Sequence, residues 1–353
     1  MHPVTDYLYP FPEESKESFD AEHGPIRQVC MRTASPWLGN LNAGLQLYAL
    51  RKSDPDLFRS VRQSVYLPQY LSSILTGLYF SEKTSIGCHT MTWDFRKVAY
   101  HDWVVKAGID SVFPPLRPAD EPLEWGYEGR PIVCGIGLHD SSSALMPYLR
   151  SFREPFLLLS TGSWSICLNP FEGGVLSPEE LDADCVNYLR IDGRPVKASR
   201  LPLGLMHDDA VQALSRRFGC PPVDFREMSW EEDAYRIVSC RYRSEPLGEG
   251  DFDPSLWSDA VEAYHALMCH LMMSQEGQVR RVLSKGVSIL YVDGGFSGNP
   301  IFLRMLSRAL PELKVFAAEV GQSTALGAAV VLHDSWNPRN LPEGLVHCVA
   351  VEG

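Results

Sequence analysis

Between Val287 and Asp334 the chain reads "VSILYVDGG", "NPIFLRMLSRAL", "LKVFAAE" and "QSTALGAAVVLHD", which is strand, helix, strand, helix. That alternation predicts a largely parallel sheet with helices covering its faces. Ligands in such sheets gather beyond the carboxyl ends of the strands. Two short stretches fall at such ends. In "YVDGGFSGNP" a strand stops at Asp293, Gly294-Gly295 turn the chain, and Asn299-Pro300 open the next helix. Paired glycines allow backbone N–H groups to approach a ligand, and they equally make a tight strand–helix connection. In "PFLLLSTGSWSICLNP" two β-rich runs flank Gly162-Ser163, either a plain hairpin turn or a cradle for phosphate. "VNYLRIDGRPVKA" predicts a second hairpin turning at Asp192-Gly193, and Trp257 to Ser284 has the apolar spacing of one long helix.

The first half is less regular. The opening to about Gly24 is polar and Pro-rich, a poor start for a core. Helices are predicted over "NAGLQLYALRKSDPDLFRSV" and "LPQYLSSILTG", the latter stopping at a Thr-Gly C-cap. "SEKTSIGCHTMTWDF" is irregular, "HDWVVKAGI" is a short helix, and 114–124 is a surface loop. Then "PIVCGIG" predicts a buried strand and "SSSALMPYL" a helix, with His139-Asp140 at the junction. Asp140 there is a helix cap or a catalytic carboxylate. The pattern breaks at "LRSFREP", which divides the chain into domains 1–153 and 154–353.

Charge narrows the function classes. A net charge of -12 argues against a nucleic-acid backbone as partner. The nine cysteines are scattered, without a CxxC pair, as in a reducing compartment. No apolar run reaches membrane-spanning length and no signal-peptide core follows Met1, so a cytoplasmic location is expected. No solenoid-length repeat, Walker A loop or convincing GxGxxG occurs. Cys88-His89 has no further ligand at metal-binding spacing, so no metal site is expected there.

Taken in order, "GLHDSSSA", "LSTGSWS", "VDGGFSGNP" and "STALGAA" resemble the motifs of the FGGY family of carbohydrate kinases along nearly the whole chain. The first two are most similar to the rhamnulokinase branch and the third to the xylulokinase pattern. The resemblance implies an α/β, two-domain actin/hexokinase-like (ribonuclease H-like) fold. It implies an N-terminal sugar-binding domain, a C-terminal nucleotide-binding domain, ATP with Mg²⁺, and phosphorylation of a ketose or deoxyketose of the rhamnulose or xylulose type. Asp140 would be the general base for the attacking hydroxyl, and His139 would touch the sugar. Gln69 matches a polar position near the sugar, or lies on a solvated helix face. Gly162 and Ser163 would meet the phosphates; Gly294, Gly295 and Asn299 would hold adenosine. Gly321 and Thr324 to Gly327 match a motif of close helix packing. The family's opening "DxGTT"-like loop has no counterpart in these residues, so an incomplete first domain is expected. A non-catalytic sugar- or nucleotide-binding remnant is the alternative, and a homodimer is compatible with either.

Overall fold

Asp259 accepts the backbone N–H groups of Val261 and Glu262 at 2.9 and 3.0 Å, capping the helix Ala260–Val282 as an Asp N-cap should. This helix is the long one expected from its spacing. It belongs to the second of two units into which the computed structural model divides; the structure describes residues 6–245, 247, 251–320 and 322–352. The first unit comprises Met1–Ser151, Pro170–Ala198 and Ser323–Leu345, and the second Phe152–Asn169, Ser199–Gln322 and Val346–Gly353. A single cut after residue 153 matches only the first passage between units; two later excursions carry the chain back.

In the second unit five strands lie in the order Cys348–Ala350, Lys314–Ala318, Ile289–Gly294, Leu157–Thr161, Ser165–Asn169. The middle three are mutually parallel, and the outer two pair antiparallel to their neighbours. The central strands are parallel as expected, and the hairpin partner Ser165–Asn169 and the edge strand Cys348–Ala350 make the whole a mixed sheet. Its register sets Gly294 opposite Thr161, at the carboxyl ends of two parallel strands. Leu157, Leu159, Leu290 and Val292 pack with Tyr264, Leu267 and Leu271 of the long helix in one continuous apolar core.

The first unit is mostly helical, with short two-stranded pairs. Its beginning departs from expectation: Glu13–His23 is a helix, and Phe19 is fully buried, with ring centroids 5.2 Å from Tyr48 and 5.1 Å from Trp103. Phe19 and the His23 ring beside it anchor this otherwise polar helix against Tyr48 and Trp103. The helix predicted after Asn42 is broken at Asp54-Pro55 into Ala43–Ser53 and Pro55–Ser60, because Pro cannot continue the first segment. Leu67–Thr76 ends at left-handed Gly77, and Val186–Leu189 pairs with Pro195–Ala198 around Gly193, both as expected. Arg130–Cys134 is no buried strand: among the described residues it pairs with Leu123–Tyr127 alone, in a hairpin that takes up the end of the predicted 114–124 loop, and it is exposed along Arg130 to Ile132.

Helices Asp140–Ser151 and Ser323–Val331 meet closely. A Cβ on Gly327 would lie 1.8 Å from the Ser143 carbonyl oxygen, and Ser143 Oγ donates to the Thr324 carbonyl at 2.7 Å. Only glycine permits that approach, which accords with the close-packing motif; Gly321 lies outside the described residues. Among the described residues no helix is long and apolar enough to cross a membrane.

Candidate active site

In the second unit the hairpin tip Gly162 to Trp164 is exposed, and the Gly162 N–H donates to the Trp164 carbonyl at 2.9 Å. The tip is therefore a closed turn, with the Ser163 side chain at the surface. Helix Leu203–Phe218 starts against it, and a Cβ on Gly204 would come 2.1 Å from the Gly162 carbonyl oxygen. The parallel register brings the Gly-Gly turn alongside. Gly294 has φ +86°, and its Cβ would lie 1.9 Å from the Thr161 carbonyl oxygen. Gly295 has 4.0 Å to its nearest neighbour and looks into open space.

Gly162, Ser163, Gly204, Gly295 and Asn299 line one cavity of about 450 Å³. Asn299 also builds its wall, because its Oδ1 caps Pro300–Ala309 through the Phe302 N–H and its Nδ2 donates to the Tyr264 hydroxyl at 2.9 Å. The Tyr264 hydroxyl lies 3.1 Å from His207 Nε2, and His207 Nδ1 lies 3.3 Å from Asp208. Donors and acceptors match along this chain when His207 carries its proton on Nδ1. Burial holds the His207 pKa below its usual value, against the pull of Asp208, so the ring is neutral at pH 7. Arg226 reaches Asp208 at 2.7 Å. Gly204, His207, Asp208 and Arg226 escaped the sequence reading; nothing in "LPLGLMHDDA" announces which helix end meets the hairpin tip.

In the first unit Gln69, His139 and Asp140 meet at one loop. The His139 carbonyl accepts the Ser143 N–H at 2.9 Å, so the cap position falls to His139 and Asp140 begins the first turn. The Asp140 side chain is 76% exposed; its Oδ1 accepts the adjacent Ser141 N–H at 2.6 Å and faces His139 Nε2 at 3.3 Å. Thr84 Oγ1 accepts the His139 backbone N–H at 2.9 Å and donates to Glu82. Glu82 is buried, and burial raises its pKa despite the Thr84 and Ser85 donors. Burial also lowers the pKa of His139, with Asp140 opposing. The solvated-face reading of Gln69 does not hold: it is 2% exposed, and its Nε2 donates to the Gly137 carbonyl at 2.8 Å. Its Oε1 is buried without a hydrogen-bond partner.

No family model matches the chain. It is 22% identical over 315 residues to a rhamnulokinase of Oceanobacillus iheyensis, a match covering 82% of this chain and 65% of that protein. A rhamnulokinase of Halalkalibacterium halodurans is 27% identical over 135 residues, covering 35% of this chain and 28% of that one. Among solved structures, a carbohydrate kinase from Novosphingobium aromaticivorans superposes with a TM-score of 0.76 at 23% identity, over 99% of this chain and 76% of that one. A xylulose kinase from Lactobacillus acidophilus gives 0.73 at 13% identity, over 95% and 72%. The fold is therefore the actin/hexokinase-like fold of the carbohydrate kinases. The chain spans just under two thirds of the length of the first rhamnulokinase it matches.

Proposed function

We propose that the protein transfers the γ-phosphoryl group of ATP to a hydroxyl of a ketose or deoxyketose of the rhamnulose or xylulose type. The observation that carries this reading is the state of Asp140. Its carboxylate is 76% exposed, and the helix N–H it accepts is that of Ser141 alone, which supports a group with most of its surface open to a substrate. The rhamnulokinase relatives point to the same class of substrate.

On this reading the sugar hydroxyl oxygen attacks the γ-phosphorus, a new O–P bond forms, the bond to the β-phosphate oxygen breaks, and ADP leaves. Asp140 accepts the hydroxyl proton. Buried Gln69 Oε1 lacks a partner, and a sugar hydroxyl would satisfy it. His139, low in pKa and neutral at pH 7, would hydrogen-bond the sugar without adding charge. The glycine-walled cavity fits a nucleotide: Gly162 and Ser163 would face the phosphates, and Gly295 and Asn299 the adenosine, with Gly294 shaping the turn behind them. Among the described residues the carboxylate that lines that cavity, Asp208, is paired with Arg226 and faces His207, so it is not free for Mg²⁺. On the same reading the first unit takes the sugar and the second the nucleotide.

The test is a coupled ADP-release assay with L-rhamnulose, D-xylulose and other ketoses as acceptors. Sugar-dependent release supports the proposal. Binding of ADP and sugar with no turnover on any acceptor removes it.

A further inference from the structure

Cys88 and His89 are neighbours in sequence and lack a third ligand nearby, but the fold supplies one from fifty residues away. Cys88 Sγ, a ring nitrogen of His89 and a ring nitrogen of His139 all lie within 4.8 Å of one another. We propose that Cys88, His89 and His139 form a binding site for a borderline-soft divalent cation, zinc above all.

Thiolate plus two imidazoles is a donor set suited to such an ion, and tetrahedral zinc places these atoms roughly 3.3–3.7 Å apart. Side-chain rotations of about 1 Å close the set. Three features prepare it. His139 Nε2 faces the Asp140 carboxylate at 3.3 Å, and the other ring nitrogen, Nδ1, is buried with no hydrogen-bond partner. A carboxylate behind a histidine is the arrangement that orients a metal-binding imidazole. The Tyr188 ring packs against both imidazoles, with centroids 5.0 Å from His139 and 6.5 Å from His89, and limits their rotation. Cys88 is buried at the third corner, its thiol donating to the Ser85 carbonyl at 3.1 Å. On binding, the thiol proton leaves Sγ for the buffer as the sulfur–metal bond forms. Three protein ligands leave a fourth position for water or a ligand oxygen.

Cobalt(II) chloride titrated into the whole reduced chain reads the site directly, followed by zinc competition. One equivalent should give tetrahedral visible bands with thiolate-to-cobalt charge transfer, and zinc should displace it. Cys88→Ser should abolish the charge-transfer band although eight other cysteines remain, and His89→Gln should weaken zinc binding by about 10-fold or more. Circular dichroism verifies that each variant is folded. A wild-type spectrum without the thiolate band overturns the site whatever the variants do. So does a band that persists in folded Cys88→Ser.

Discussion

Thr161 Oγ1 donates to the Asp293 carbonyl at 2.5 Å and accepts the Phe296 N–H at 3.0 Å, so one buried hydroxyl holds both sides of the Gly294-Gly295 turn. The parallel register that sets Gly294 against Thr161 makes this clamp possible. Thr161→Val keeps the shape and removes the hydroxyl, leaving a buried carbonyl and a buried N–H without their partner. A loss of about 1–3 kcal/mol is expected, read as a lower urea midpoint, and Thr161→Ser should retain most of the stability. An unshifted Thr161→Val midpoint would show that the turn holds itself.

The two glycines of that turn should behave differently. Gly294 cannot accept a side chain, because at φ +86° a Cβ there would lie 1.9 Å from the Thr161 carbonyl oxygen. Gly295 can, since its nearest neighbour is 4.0 Å off. Gly295→Val should fold normally and bind ADP about tenfold more weakly or worse in calorimetric titration, because the added methyls enter the cavity. Unchanged ADP affinity in the folded variant would remove Gly295 from the nucleotide site.

Asp140→Asn separates base from cap. The asparagine keeps an oxygen that can accept the Ser141 N–H, so the variant should keep its thermal midpoint while sugar-dependent turnover falls about 10²–10⁴-fold. Normal turnover with a lowered midpoint would reverse the assignment and make Asp140 structural.

Acid should destabilise the fold through its buried histidines. Burial, with Arg32 adding to it, lowers the His101 pKa from 6.5 to about 4. Between these values the unfolded chain binds more protons, so stability falls with pH. The contribution is complete above pH 6.5 and is lost as pH drops toward 4, about 2 kcal/mol of it between pH 7 and 5. His101 Nδ1 also accepts the Trp103 N–H that starts helix Asp102–Lys106. His101→Asn preserves a capping acceptor and removes the titration, so the fall in urea midpoint from pH 7 to 5 should shrink. It will not vanish, because His23, His207 and His265 are lowered by burial as well. An identical pH slope in the variant would mean that His101 is not a principal acid-sensitive group.

What could be read from the chain alone was whatever a few consecutive residues decide. The long helix shows in its apolar period, the Gly77 stop and the Gly193 turn in single residues that tolerate positive φ, and the strand–helix alternation after Val287 in two periodicities. The same locality made the motifs around Asp140, Gly162 and Gly294 recognisable. Tertiary structure decided what covers each face, and a period carries no record of that. Phe19 in a polar run is a core residue because Tyr48 and Trp103 close over it, whereas Ile132 in an apolar run stays exposed, its partner strand among the described residues being Leu123–Tyr127. Gln69 is buried by the Gly137 loop, and the Asp140 carboxylate meets the His139 ring and the Ser141 N–H at the helix start. Thr161 meets Phe296, and Cys88 meets His139, across separations of 135 and about fifty residues. Such encounters depend on how strands register and helices stack, and no local preference along the chain encodes them.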